Sequence, residues 1–297
     1  MKSGFIIINK DSGVSSHTVV SKIKRLFGLK KAGHTGTLDP LASGVLPILV
    51  ERGVKASEYM ICEGKHYRAT MLFGIETDTE DITGTVLSKN DYYPSEASVI
   101  DAARSFLGEY MQTPPMYSAI KQGGKKLYEL ARLGIEVKRE ARRVEIYEID
   151  AKKISEKEYE LSVFCSGGTY IRTLITDIAK KLSAIAVMSS LHRTEAAGFC
   201  ENESYKISEL ENMTAKERDG CIRPVYEIFS DYETVSLPPF FSRLARNGLE
   251  IYLKKINLSL EVGRRVKLYD ENGFFAIGEV SEFEGGKAIK PLKQFDV

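Results

Sequence analysis

Apolar and polar positions alternate along this chain in two registers, and the register changes mark its elements. Phe5–Asn9 carries Ile6-Ile7-Ile8 and predicts a strand. Val19, Val20, Ile23, Leu26 and Phe27 then recur at helical spacing. Ser15-Ser16 supplies a cap at the start of that helix, Gly28 a stop, and its lysines and arginine take the opposite face. Tyr67–Gly74 predicts a strand and Ser95–Phe106 a helix. The segments Arg143–Lys153 and Glu158–Cys165, on either side of Ser155-Glu156-Lys157, predict a hairpin. Thr169 offers a cap for a helix carrying Ile171, Leu174, Ile175, Ile178, Ala179 and Leu182, and a strand follows over Ala186–Arg193. Strands and helices mix without a strict βαβ repeat, so the class is α+β with a mixed or antiparallel sheet. Leu237-Pro238-Pro239 marks a boundary between a body, residues 1–235, and a tail, residues 236–297. The tail reads as short strands, Arg265–Tyr269 and Phe274–Val280, with Asn272-Gly273 favouring a type I′ hairpin turn. There is no internal repeat and no low-complexity segment.

Composition narrows the class. A chain of 297 residues with 43% hydrophobic positions can fill a sizeable core, and its 28% charged residues are nearly balanced. The start, Met1-Lys2-Ser3-Gly4-Phe5, runs straight into a strand too short for a signal-peptide core, and no apolar run could span a bilayer. Cys62, Cys165, Cys200 and Cys221 are scattered without metal-ligand spacing, which fits free buried thiols in a reducing, cytoplasmic setting. The net charge of +1 hides two basic stretches. His17–Thr37 holds five bases and no acid, and Lys121–Arg143 holds eight bases against three acids. Local patches of this kind suit an RNA footprint, because affinity comes from neutralising nearby phosphates.

The candidate chemistry lies in Gly33-His34-Thr35-Gly36-Thr37-Leu38-Asp39-Pro40-Leu41-Ala42-Ser43-Gly44. Gly33, Gly36 and Gly44 admit positive φ, and Pro40 pushes Asp39 toward extended backbone and removes a donor beside it. The run continues into Leu46-Pro47-Ile48-Leu49-Val50, which sets the acid beside the core. Other chemistries fail on particular residues. Gly28–Thr35 comes close to a phosphate-binding loop, but His34 stands where the lysine belongs and a helix precedes it where a strand is required. Glu76, Asp78, Glu80 and Asp81 lack the ligands an EF-hand needs at Ile82 and Lys89, so they read as a solvated turn. The four histidines form no metal-binding pair, and no metal or cofactor is expected.

The Asp39 run resembles the catalytic motif of the TruB-type tRNA pseudouridine synthases, G-H-T-G-T/A-L-D-P-x-A-x-G. Gly167-Gly168-Thr169-Tyr170-Ile171-Arg172-Thr173 resembles a second motif of that family, and the matches cover most of residues 4–200. The resemblance implies the pseudouridine synthase fold, a central mixed or antiparallel sheet flanked by helices, with a small C-terminal PUA-like barrel. It also implies an isomerase that converts the T-loop uridine at position 55 of tRNA to pseudouridine after flipping it out. Asp39 is then the catalytic carboxylate, either attacking the nucleotide covalently or promoting glycal formation by taking a ribose proton. Arg172 is its ion-pair partner and Tyr170 lies by the base or by Asp39. Tyr67 stacks on the target base, with its phenol near C5. His34 fills the opened loop by stacking on displaced bases, and Leu191, in Leu191-His192-Arg193-Thr194, walls the uracil pocket.

Lys10 sits in Asn9-Lys10-Asp11-Ser12-Gly13, where Asp11 replaces the family's proline. It is a candidate RNA contact or a support for the active-site loop. The stretch from Thr113 to Val137 resembles an RNA-gripping insertion, spanning about 112–143, with a short helix over Lys125–Arg132. Its candidate contacts are Lys121, Lys125, Lys126 and Arg142. The expected partner is the T arm of tRNA, with no membrane and no obligate protein partner, and assistance to tRNA folding is a possible added role. One alternative remains, a non-catalytic RNA-binding or RNA-refolding protein; nucleotide hydrolysis at the near phosphate loop is expected to be absent.

Overall fold

The computed structural model describes residues 3–61 and 64–295. Its centre is a ten-stranded mixed sheet. The principal elements of the body are β1 (Gly4–Lys10), α1 (Ser16–Phe27), β2 (Ser43–Val50), β3 (Lys65–Phe73), α2 (Glu96–Arg104), β4 (Gly108–Gln112), β5 (Arg142–Lys153), β6 (Glu158–Cys165), α3 (Ile171–Lys181) and β7 (Ala186–Ala196). The strands lie in the order β1-β2-β7-β3-β6-β5-β4, antiparallel except where β7 meets β2 in parallel. That single parallel contact sets Arg193 against Gly44, and so joins the strand after α3 to the end of the Asp39 run.

Period-two alternation makes β1 serve two cores at once. Ile6 and Ile8 face α1, α2 and α3 in the main core, while Phe5 and Ile7 face the opposite side with Val45, Leu49, Phe199 and Phe229. The C-terminal sheet packs on that second side through Phe274, Ile277 and Phe295. Helix α1 matches its expected limits: Ser15 accepts from the Thr18 amide, and Gly28, at φ 63°, closes the end in the left-handed region. A helix therefore precedes Gly28, where a phosphate-binding loop would require a strand.

The C-terminal sheet holds β8 (Glu233–Ser236), β9 (Ile251–Tyr252), β10 (Arg265–Asp270), β11 (Gly273–Phe283) and β12 (Gly286–Gln294), in the order β8-β10-β11-β12-β9. It curls into a half-barrel. Strand β8 pairs with β10 in parallel, so this sheet starts at Glu233, ahead of the Leu237-Pro238-Pro239 boundary read from the sequence. Its hairpin also differs from expectation. The two residues at the tip are Glu271 and Asn272, and only Gly273 has positive φ, at 107°. Asp270 accepts from the Asn272 amide and shapes the turn instead of a type I′ pair.

Three smaller corrections concern the body. Helix α3 is capped at Tyr170 and not by the Thr169 side chain. Of the three glycines in the Asp39 run, only Gly44 takes positive φ, 103°. Cys165 and Cys221 are buried free thiols but Cys200 is exposed, and Cys62 lies outside the described residues. Among the described residues no helix is long and apolar enough to cross a membrane.

Candidate functional site

The Asp39 run leaves a short strand, Ala32–His34, crosses the mouth of the main core, and enters β2 at Ser43. Its backbone is held from several directions. Ser16, buried at the start of α1, donates to the Leu38 carbonyl at 2.8 Å and accepts from the Leu38 amide at 2.9 Å. Pro40 offers its carbonyl to the Gly13 amide, 2.7 Å, and to the Lys10 ammonium, 3.4 Å. Arg193, the largest fully buried side chain, donates to Val45 at 2.7 Å and to Gly36 at 3.1 Å. Gly44 is needed here on two counts: its φ is 103°, and a Cβ would fall 2.2 Å from the Arg193 carbonyl oxygen.

On this frame the Asp39 carboxylate is 35% exposed, and its Oδ2 meets Arg172 Nε at 2.9 Å. The guanidinium itself is only 4% exposed. It also donates to the Thr79 carbonyl at 2.7 Å and the Tyr117 carbonyl at 2.9 Å, and lies 3.9 Å from Asp81. Five fixed N–H groups on a planar fork suit such a site, where a lysine would serve one partner at a time.

The solvated-turn reading therefore holds for exposed Asp78 but fails for Asp81 and Glu80. Asp81 is buried and accepts from Thr79 and Thr83, and its segment bridges to Met188 of β7. Glu80, at φ 63°, accepts from the Thr173 hydroxyl at 2.6 Å, and burial pushes its carboxyl above the usual range. The sequence did carry a signal for this arrangement. A buried guanidinium needs more acceptors than one carboxylate supplies, and the acids closest to hand followed β3.

Tyr67, Leu191 and Arg193 share the inward face of β3 and β7, with Tyr67 opposite Arg193 in register. Burial pushes the Tyr67 phenol up, opposed by the Arg193 guanidinium, which lies 6.0 Å from the ring centre. The Tyr170 phenol is likewise raised by burial. Asp39 is close enough to act electrostatically on Tyr67, Tyr170 and Lys10 alike. His34 is half-buried, and its Nδ1 is enclosed without a hydrogen-bond partner among the described residues. Burial, then Arg193 and His17, lower its pKa and favour the neutral ring.

Lys10 is a correction as an RNA contact. It is 1% exposed, with Nζ bound by the carbonyls of Val14 at 2.7 Å, Asp11 at 3.0 Å and Pro40. An ammonium sealed by three carbonyls cannot reach a phosphate, and it braces the peptide after Asp39. Burial lowers its pKa to about 8, against the pull of Asp39 and Asp11.

The remaining basic candidates lie on the insertion and at its base. Lys121, Lys125 and Lys126 lie on a two-stranded ribbon whose turn, Gly123-Gly124, has positive φ at both residues. Lys126 and Arg132 both approach the Tyr128 ring, at 5.3 and 5.4 Å. The short helix runs Leu127–Arg132, slightly shorter than expected. Arg142, exposed, opens β5 opposite Gln112, so the insertion rises from the paired ends of β4 and β5. The reading from sequence missed Arg193, Asp81, Glu80 and Gln112, all of which act by holding other groups.

Comparison with known proteins adds independent findings. Residues 24–171 match the TruB family pseudouridylate synthase N-terminal domain, and residues 172–230 match the tRNA pseudouridylate synthase B C-terminal domain. The tRNA pseudouridine synthase B of Clostridium tetani is 39% identical, with 98% of this chain and 99% of that protein covered. That of Alkaliphilus oremlandii is 40% identical, with 98% of each covered. That of Francisella tularensis subsp. novicida is 36% identical, over 99% of this chain and 95% of the relative. Among solved structures, a chain of a Cbf5-Nop10-Gar1 complex superposes with a TM-score of 0.70 at 26% identity, covering 98% of this chain and 84% of that one. The half-barrel begins beyond both matched domains.

Proposed function

The chain belongs to the TruB family of pseudouridylate synthases and is an isomerase, a tRNA pseudouridine synthase; from that premise we propose that Asp39 is its catalytic carboxylate, acting on the T-loop uridine at position 55. The reaction keeps every atom of the nucleotide except an exchanged proton. The N1–C1′ bond breaks, the uracil turns, C5 joins C1′, the proton on C5 leaves and N1 gains one. No electron acceptor or carried group enters. What the chemistry needs is one ionised carboxylate at the ribose, an apolar slot for the uracil, and a route for an everted nucleotide.

The observation that carries this reading is the 2.9 Å pair between Asp39, a third exposed, and buried Arg172. The guanidinium anchors Oδ2 through Nε, which leaves Oδ1 for the sugar. Asp39 then either adds to the nucleotide at C1′ or takes a ribose proton on the way to a glycal, and the same geometry serves both. Tyr67 stacks on the extruded uracil, Leu191 supplies an apolar wall, and Tyr170 bounds the far side. His34, favoured as the neutral ring, replaces a base in the opened loop. Lys121, Lys125, Lys126 and Arg142 meet phosphates of the T arm.

The test is Asp39→Asn, which keeps the shape and removes the charge. Isomerisation, followed as tritium release from tRNA labelled at uridine C5, falls by about 10³-fold or more, while tRNA affinity stays within about twofold. Turnover at the unaltered rate would refute the assignment.

A further inference from the structure

Gln112 is a buried polar side chain, 1% exposed, at the end of β4 where the insertion begins. Its side-chain amide grips both sides of one residue. Oε1 accepts from the Tyr170 amide at 2.8 Å, and Nε2 donates to the Tyr170 carbonyl at 3.0 Å. The same Nε2 also reaches the Tyr110 hydroxyl.

Tyr170 caps α3 without a capping hydrogen bond from its own side chain, and its backbone is extended, at φ −99° and ψ 109°. Holding N–H and C=O of one residue together fixes both of its soft torsions. Those torsions aim the first turn of α3, from which the Tyr170 ring and, two residues on, Arg172 reach toward Asp39. Gln112 also stands opposite Arg142 in the β4–β5 ladder, so the clamp sits at the root of the insertion. Farther along the same segment, the Tyr117 carbonyl accepts from Arg172.

We propose that Gln112 is a positioning residue for the isomerisation: it locks the Tyr170 backbone, and with it Arg172, in register with the stem of the insertion. The proposal rests on the reading of Asp39 and Arg172 as the reaction centre. Gln112 offers RNA no accessible surface, so its contribution belongs to the rate of the bound complex and not to affinity.

Full-length protein and tRNA labelled at uridine C5 test this under single turnover, with affinity measured separately by filter binding. Gln112→Met keeps the length and removes both hydrogen bonds to Tyr170 together with the one to Tyr110. It slows the saturated rate by about tenfold to a hundredfold, with affinity within about twofold, because sub-ångström placement of reacting groups is what is lost. Gln112→Glu provides a rescue. Its protonated carboxyl presents an O–H and a C=O to the same two Tyr170 groups, and the ionised form has no donor. Measured relative to the parent protein, its rate therefore recovers as pH falls, while that of Gln112→Met does not.

Should Gln112→Met fail to fold, Tyr110→Phe removes only the outer support of the amide, and a severalfold slowing at unchanged affinity is expected. A parental saturated rate in Gln112→Met, a loss confined to affinity, or a Gln112→Glu ratio flat with pH overturns the proposal, as does an unaffected Tyr110→Phe where that variant stands in. Asp39→Asn run alongside separates the two readings. If it is inert while Gln112→Met is unimpaired, only the positioning role falls; if it turns over, the reaction centre itself is misassigned.

Discussion

Replacing Arg172 with methionine removes one guanidinium and strips four partners at once. Asp39 loses its ion pair at 2.9 Å and buried Asp81 loses a counter-charge at 3.9 Å. The carbonyls of Thr79 and Tyr117 each lose a donor. Breaking a buried pair by deleting one member costs about 3–5 kcal/mol, since the other charge stays behind unpaired. Two features pull the figure toward the lower end. Asp39 is a third exposed, so water screens its share, and Asp81 keeps its bonds from Thr79 and Thr83. A loss of about 3 kcal/mol is therefore expected, seen in urea as a midpoint lowered by about 1 M or more at unchanged slope. Adding Asp81→Asn to Arg172→Met removes the stranded charge and recovers part of that loss, giving a favourable coupling in the double-mutant cycle. Arg172→Lys keeps the charge without the fork; it loses less stability than Arg172→Met but still slows isomerisation, because a point ammonium cannot hold Asp39, Thr79 and Tyr117 together. An unchanged urea midpoint for Arg172→Met, or strict additivity with Asp81→Asn, would refute the argument that one guanidinium balances both acids.

Two further outcomes follow from the same frame. Gly44→Ala combines φ 103° with a Cβ 2.2 Å from a backbone oxygen, so it costs about 3 kcal/mol or more. Gly33→Ala, with no heavy atom of the described residues within 4 Å of the added carbon, stays within about 0.5 kcal/mol, both compared by urea unfolding; equal effects would contradict the geometry. Lys10, lowered from 10.5 to about 8, gives up its proton in the folded state before the unfolded chain does. Across that window the unfolded state binds more protons, so stability rises with pH relative to Lys10→Met. Urea titrations at pH 7.5 and pH 10 should show the parent gaining on the variant, and a constant difference would remove burial as the cause of the shift.

Elements whose signals are local were legible in the chain before any fold was known. The limits of α1 follow from Ser15, Gly28 and helical spacing between them, and the β5–β6 hairpin follows from alternation on either side of a polar turn. The motif around Asp39 and the Tyr170–Arg172 segment could be matched because each is contiguous, and their pairing could be expected only once both had been matched to the family. Tertiary structure decided what each polar group must balance after losing water. Asp81 and Glu80 read as surface acids in sequence, and became buried partners only when their turn bridged to Met188 and met Arg172 and Thr173. Lys10 read as either an RNA contact or a support for the active-site loop, and three carbonyls from a distant loop and its own turn enclosed it and left only the second. Gln112 and Arg193 gave no local sign at all, because their work is done on the backbone of segments 58 and 148 residues away. A hydrogen bond of that span leaves no periodicity and no spacing in the chain; it exists only once the sheet has brought both ends together.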